Sequence, residues 1–244
     1  MSISLSGSRL GALVLDIEGT TTAVDFVYQL LFPYARAHAA AFLEAESTSD
    51  ACRQAVARLQ DEQARDVACG DAPPHSVVAY VLWSMDRDRK SPGLKALQGL
   101  IWENGYETGE LRGQVYADVP ASLERWHAHG LRTYIYSSGS VLAQQLLFRT
   151  TPSGDLTRFL SGYFDTAVGP KTASESYRVI LAGIGGPPGR ALFISDVVAE
   201  LDAAREAGVL TALCARPGWR GQPGGSGESA ASHPVIHSFD DILD

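Results

Sequence analysis

Hydrophobic and polar positions along the chain fall into two regimes. Short apolar runs with almost no polar interruption recur at Leu10 to Ile17 (LGALVLDI), Arg132 to Ser137 (RTYIYS), Ala191 to Ser195 (ALFIS), Leu210 to Ala215 (LTALCA) and Val235 to Phe239 (VIHSF), with a weaker one at Tyr163 to Ala167. Runs of this kind suit strands buried on both faces of a parallel sheet. Between them, apolar residues return at helical spacing over Ala121 to His129, Val141 to Phe148, Ser174 to Ala182 and Val198 to Ala207, the last followed by Gly208 in the position that ends many helices. The alternation predicts a Rossmann-like, doubly wound parallel α/β sheet.

From Asp25 to about Leu111 the pattern changes, and nothing there reads as a strand. Helical periodicity predicts Asp25 to Glu44, Asp50 to Ala68, Ser76 to Arg87 and Pro92 to Asn104, with Phe26, Leu30, Leu31 and Tyr34 as one inward stripe. The expected organisation is therefore an α/β core from residues 1–24 and 112–244, and an inserted all-helical cap from 25–111. An insertion directly after the first strand is well placed to close over a site at that strand's end. Gly221 to Ser232 (GQPGGSGESAAS) is the one low-complexity stretch, with the Gly/Ser content of a mobile surface loop.

Ligand crevices of open α/β sheets lie at the carboxyl ends of the strands. The first predicted strand leads into Asp16-Ile17-Glu18-Gly19-Thr20-Thr21-Thr22, two carboxylates two residues apart in a turn that Gly19 allows to be tight. The second leads into Ser137-Ser138-Gly139-Ser140, hydroxyls and free amides at a helix start that suit either a phosphate or simple N-capping. The third leads into Gly169-Pro170-Lys171 and the fourth into Ser195-Asp196. Each signal alone is weak. Together they meet one demand, because a dianionic phosphate repels an attacking carboxylate unless a divalent metal and positive or hydrogen-bonding groups offset its charge. Asp16 and Asp196 supply carboxylates suited to Mg²⁺, and Ser137, Ser138 and Lys171 suit the phosphoryl group.

Composition narrows the partners. A length of 244 residues with 45% hydrophobic content is enough for one sizeable core, or a core with an accessory domain. A formal net charge of -8 argues against nucleic acid and anionic membrane, which both demand a basic face, and leaves a small molecule as the substrate. Cys52, Cys69 and Cys214 are odd in number and lie in no zinc or disulfide spacing, as in a reducing compartment. Leu10 to Ile17 is too short and too acidic for a signal peptide or a membrane span, so a cytoplasmic protein is expected. The six histidines form no metal constellation; His127 and His129, two apart on a helix, point to different faces.

The segments DIEGTTT, FVYQLLFPYARAHAAAFL, IYSSGSVLAQQLLF, SGYFDTAVGPKTASESY and FISDVVAELDAAREAG, which span Leu13 to Gly208, closely resemble the enolase-phosphatase family of methionine salvage within the haloacid dehalogenase superfamily. Glu18 stands where most of that superfamily has Asp, which this family shares. The resemblance implies a haloacid-dehalogenase-like fold, with Asp16 as nucleophile and metal ligand. It places Glu18 at the general acid/base position, contributing its main-chain oxygen to the metal, and has Asp196 complete a site for one Mg²⁺ per subunit. Ser137, Ser138 and Lys171 match phosphate contacts, and a monomer is implied. The implied reaction enolises and then dephosphorylates 2,3-diketo-5-methylthiopentyl 1-phosphate, by an aspartyl-phosphate, to the acireductone 1,2-dihydroxy-3-keto-5-methylthiopentene. Glu200, one turn beyond Asp196, reads either as an acid supporting the site or as an exposed helix residue.

Two other readings compete. Another capped phosphatase of the superfamily, acting on a different small phosphate ester, shares every one of these motifs. A phospho-receiver domain also combines acids with a lysine, but its phosphorylated Asp is not expected on the first strand. The G-x-x-x-x-G-K-[ST] of a P-loop is absent around Gly169-Pro170-Lys171-Thr172.

Overall fold

The computed structural model describes residues 3–4, 10–89, 91–219 and 232–243. The low-complexity stretch Gly221 to Ser232 lies outside these except for Ser232. The chain divides into two compact units, Met1–Val24 with Gly113–Asp244, and Asp25–Arg112.

Strand β1 (Ile3–Ser4) is followed by β2 (Ala12–Leu15), and the helical unit comes next. Its first helix, α1 (Val24–Phe26), passes through a π turn at Val27–Leu31 into α2 (Phe32–Ala45). The π turn corrects the expected stripe: Phe26, Val27 and Leu31 are buried, but Leu30 is 39% exposed. A bond from i to i+5 adds a residue to the helical repeat, so a spacing of 3.6 read straight through it misplaces Leu30. Helices α3 (Asp50–Ala68), α4 (Val77–Met85) and α5 (Pro92–Glu107) each start at a serine. The hydroxyls of Ser49, Ser76 and Ser91 accept from the amides of Cys52, Ala79 and Leu94 at 3.1, 3.2 and 3.3 Å. Ala39, Ala55, Leu59, Val81, Leu97 and Ile101 are buried in this unit.

The α/β unit continues with α6 (Val119–Ala128), β3 (Arg132–Tyr136), α7 (Val141–Arg149), β4 (Leu160–Phe164), α8 (Ser174–Ile184), β5 (Ala191–Ser195), α9 (Val198–Glu206), β6 (Leu210–Cys214), β7 (Val235–Ile236) and β8 (Ile242–Leu243). Six strands form one parallel sheet in the order β4-β3-β2-β5-β6-β7, while β1 and β8 pair with each other. On one face Val14, Tyr136 and Phe193 pack with Tyr177 and Ile180 of α8 and Leu201 and Ala204 of α9. Strand alternation sends the buried Leu13, Leu15 and Ile135 to the opposite face, and α6 lies against β3. No described helix is long and apolar enough to cross a membrane.

Three boundaries differ from the sequence pattern for local reasons. Strand β4 lies three residues earlier than Tyr163 to Ala167, because Asp165 Oδ1 accepts the amide of Ala167 at 2.8 Å and turns the chain. The last strand of the sheet stops at Ile236, since Ser238 accepts the Asp240 amide at 3.1 Å and opens a 3₁₀ turn at Phe239–Asp241. Helix α6 starts at Val119 rather than Ala121, as Pro120 fits the first turn of a helix.

Candidate active site

Strand β2 pairs with β3 on one side and β5 on the other, so the sheet's connectivity reverses there and its carboxyl end is the expected crevice. Asp16 follows β2 immediately, tied by its amide to Ile194 O at 3.0 Å. The chain then folds back sharply. The amides of Thr20, Thr21 and Thr22 converge on Ile17 O at 3.1, 3.0 and 2.9 Å, and the Gly19 amide bonds Thr22 O at 2.8 Å. Gly19 has φ of 75°, and a Cβ on it would overlap Asp196 Oδ2, so glycine is required both by the turn and by the neighbouring carboxylate.

From β3, Ser137 donates from Oγ to Glu18 Oε2 at 3.3 Å and accepts from the Gly139 amide at 3.0 Å. Ser140 caps α7 by accepting from Ala143 at 3.3 Å. The Ser-Ser-Gly-Ser stretch therefore divides its work: Ser140 starts the helix and Ser137 faces the acidic turn. Ser138 is exposed, and no side-chain bond among the described residues ties it to the others.

Lys171 is deeply buried, unlike an ordinary loop lysine. Its loop is fixed at three carbonyls: Tyr136 Oη donates to Gly169 O at 3.0 Å, Ser176 Oγ to Pro170 O at 2.7 Å and Tyr177 Oη to Lys171 O at 2.7 Å. Gly169, with φ of 132°, leaves no room for a Cβ against Ser176 Oγ. So held, Lys171 Nζ reaches Asp16 Oδ1 at 2.5 Å and Glu200 Oε2 at 2.7 Å. Ser195 Oγ donates to Glu200 Oε2 at 2.9 Å and stands 3.4 Å from Asp16 Oδ2. Glu200 is thus a buried partner of the lysine, which removes the exposed-helix alternative.

The acids here share little water. Burial, then the charge of Asp16, raises Glu18 above the ordinary glutamate value. Burial and Asp16 likewise push Asp196 up to about 7, and Glu200 up to about 7 against the opposing pull of Lys171. Burial by itself lowers a lysine; here Asp16 and Glu200 outweigh it and hold Lys171 above its usual range. Four carboxylates around one ammonium leave an excess of negative charge that a cation would offset. Among the described residues no side-chain cation or donor bonds the Asp196 carboxylate, and no three His, Cys, Asp or Glu side chains form a cage. The donor set that fits a hard divalent cation is therefore two carboxylates, Asp16 and Asp196, with a main-chain oxygen of the turn and water.

A family model described as haloacid dehalogenase-like hydrolase matches residues 10–208. The Enolase-phosphatase E1 of Synechococcus elongatus is 48% identical over 94% of this chain and 96% of its own, and that of Citrobacter koseri is 46% identical over 95% and 96%. The chain belongs to the enolase-phosphatase family of haloacid dehalogenase-like hydrolases. The solved UTR4 protein of Saccharomyces cerevisiae superposes on this enolase-phosphatase family member with a TM-score of 0.76 at 34% identity, covering 95% of this chain and 99% of that one. The CbbY protein of Rhodobacter sphaeroides, solved with xylulose-(1,5)bisphosphate, shares the fold alone, at 16% identity and a TM-score of 0.57.

Around the site of this family member, the sequence reading missed Tyr177 and the ion pair of Arg216 and Asp118. Arg216 Nη1 lies 2.6 Å from Asp118 Oδ2, and Arg216 Nε donates to Thr20 O at 2.9 Å. The exit of β6, which ends at Cys214, leads directly to Arg216.

Proposed function

We propose that this chain is the bifunctional enolase-phosphatase of methionine salvage, taking 2,3-diketo-5-methylthiopentyl 1-phosphate to the acireductone and inorganic phosphate. The observation that carries this reading is Asp16 at the end of the central strand, with the buried ammonium of Lys171 at 2.5 Å. A carboxylate in that position can approach phosphorus without meeting an unbalanced field.

The diketone first enolises, losing a proton from the carbon that bears the phosphate and gaining one on the adjacent carbonyl oxygen. Asp16 then attacks phosphorus, the bond from phosphorus to the enol oxygen breaks, and Glu18 delivers a proton to that oxygen. The burial that raises Glu18 keeps a proton on it to higher pH than an exposed glutamate, as this step requires. Glu18 then takes a proton from water, whose oxygen attacks the phosphoryl group and releases Asp16. Ser137 and Lys171 hold phosphate oxygens, with Ser138 available from the exposed side. One Mg²⁺ per subunit would be held by Asp16, Asp196 and the main-chain oxygen of Glu18; when bound, it offsets phosphoryl charge and the negative charge of enolisation. The helical unit at 25–112 acts as the cap that selects the ester. The enzyme works in the cytoplasm as a monomer.

A phosphonate analogue, with carbon in place of the ester oxygen, keeps the dianion but cannot readily transfer its phosphoryl group. In deuterated water with Mg²⁺ the enzyme should exchange the proton beside the diketone faster than buffer, while releasing no phosphate. Exchange at the buffer rate, with the analogue shown to bind, would leave only the phosphatase. Failure to release phosphate from the true substrate would remove that as well.

A further inference from the structure

Arg216 follows β6 and lies beyond residues 10–208, the part matched by the family model. Its guanidinium is buried between two rings, 4.3 Å from the centroid of Tyr116 and 4.7 Å from that of Phe239. Asp118 pairs with it at 2.6 Å, and Asp118 Oδ2 also accepts from Ser238 Oγ at 2.9 Å. The remaining contact points toward chemistry: Nε donates to the carbonyl of Thr20 at 2.9 Å, in the middle of the turn that carries Glu18 and follows Asp16. A second tie acts on the same turn, from the Tyr116 amide to Thr21 O at 2.9 Å.

We propose that Arg216 is a positioning residue that clamps the 17–22 turn, fixing the main-chain oxygen of Glu18 relative to Asp16 and Asp196 for a divalent cation. The proposal rests on the functional reading of that turn. Stability alone is a poor reason for this arginine. Among the described residues Arg216 Nη2 is buried without a partner, and so is Oγ1 of Thr20 on the clamped turn. Buried ion pairs are commonly no more stabilising than apolar side chains of the same volume, and an unsatisfied donor makes the comparison worse. What an apolar replacement cannot supply is a directed N–H at the Thr20 carbonyl. Position matters here because the turn abuts Asp196: the Gly19 backbone leaves no room for even a methyl group beside that carboxylate. A drift of the turn changes the spacing of the oxygen donors, and hard cations with short bonds tolerate little such change.

Arg216→Met keeps the packing volume and removes the clamp, whereas Arg216→Lys keeps a charge for Asp118 but lacks the Nε–H aimed at Thr20. The experiment measures the melting temperature, amide exchange of residues 17–22 without metal, Mg²⁺ affinity by calorimetry, and kcat with KM. Arg216→Lys should keep its melting temperature within a few degrees, while Arg216→Met, which also leaves the buried Asp118 carboxylate without its cation, should melt several degrees lower. Both should exchange the turn amides at least tenfold faster than wild type while β2 stays protected, bind Mg²⁺ about tenfold more weakly, and lose kcat rather than raise KM. A merely structural role would lower protection throughout the sheet in both variants, and melting temperature in Arg216→Lys as well. Mg²⁺ affinity and turn exchange within twofold of wild type, in either variant that folds, would overturn the proposal. So would wild-type turn amides that exchange freely with Arg216 in place, a result that needs no variant. Loss of the proposed enzymatic activity in the wild type would sink the functional reading instead, without altering the exchange result.

Discussion

Glu200 Oε2 stands 2.7 Å from Lys171 Nζ and at the same time accepts the hydroxyl of Ser195 at 2.9 Å. The lysine is thereby held from two sides, by Asp16 and by Glu200, and in the proposed reaction would not follow Asp16 alone toward phosphorus. Glu200→Gln keeps an acceptor for Ser195 but withdraws a charge from Lys171. We expect a roughly 10–100-fold fall in kcat with little change in Mg²⁺ affinity, the size usual for residues that orient a catalytic group. Steady-state kinetics across a magnesium titration check this; a tenfold weaker Mg²⁺ dependence would instead make Glu200 part of the metal site.

The two aspartates should separate by phenotype. Asp16→Asn removes the proposed nucleophile and should cost several orders of magnitude in phosphate release while the protein folds normally. Asp196→Asn leaves the proposed nucleophile and removes a charge from the proposed metal site, so more Mg²⁺ should be needed for half-maximal rate. Phosphate release measured against metal concentration distinguishes them: a tenth of wild-type activity in Asp16→Asn, or an unshifted titration in Asp196→Asn, contradicts the assignments.

The parallel strands were legible because their apolar runs are uninterrupted, and the strand exits pointed to Asp16, Glu18, Ser137, Ser138, Lys171 and Asp196, of which the structure gathers all but the exposed Ser138 around one turn. Sequence could not say that Lys171 is buried, since a loop lysine is ordinarily solvated; its burial follows from Tyr136, Tyr177 and Ser176 closing on three loop carbonyls. Glu200 was ambiguous for the same reason, as helical spacing gives a residue's face but not what packs on it. Leu30 was misplaced because a π turn leaves no mark in a 3.6-residue pattern. Arg216 and Asp118 are 98 positions apart, and no local pattern joins them.

Gly19 offers a severe test of the turn. Ala at this position meets both a positive φ of 75° and the Asp196 carboxylate, so the turn must shift. Gly19→Ala should cost about 1–3 kcal/mol of stability from backbone strain and reduce phosphatase activity at least 100-fold, with Mg²⁺ affinity falling in parallel. Denaturant unfolding together with calorimetry checks it, and a variant with wild-type metal affinity would show that the turn's position does not matter.

In the helical unit, Asp66 accepts from Tyr80 Oη at 2.7 Å and from Arg89 Nη2 at 2.7 Å. Arg89's hydrogen bond, with help from Tyr80 and against the effect of burial, holds Asp66 below its ordinary value of 3.8. Between the folded and unfolded values the unfolded chain binds more protons, so this pair stabilises the fold above the ordinary value and loses that effect as pH falls through the lower, folded one. Arg89 keeps 29% of its side-chain surface in water, so Arg89→Ala should cost only about 1–2 kcal/mol at pH 7, less than breaking a fully desolvated pair. That difference should shrink progressively below pH 4 and vanish only once the pH has fallen below the lowered value of Asp66 in the folded wild type. Urea unfolding of wild type and variant from pH 7 down to pH 3 measures it; a gap that stays constant or widens on acidification would show that Asp66 does not couple to Arg89 as an ion pair.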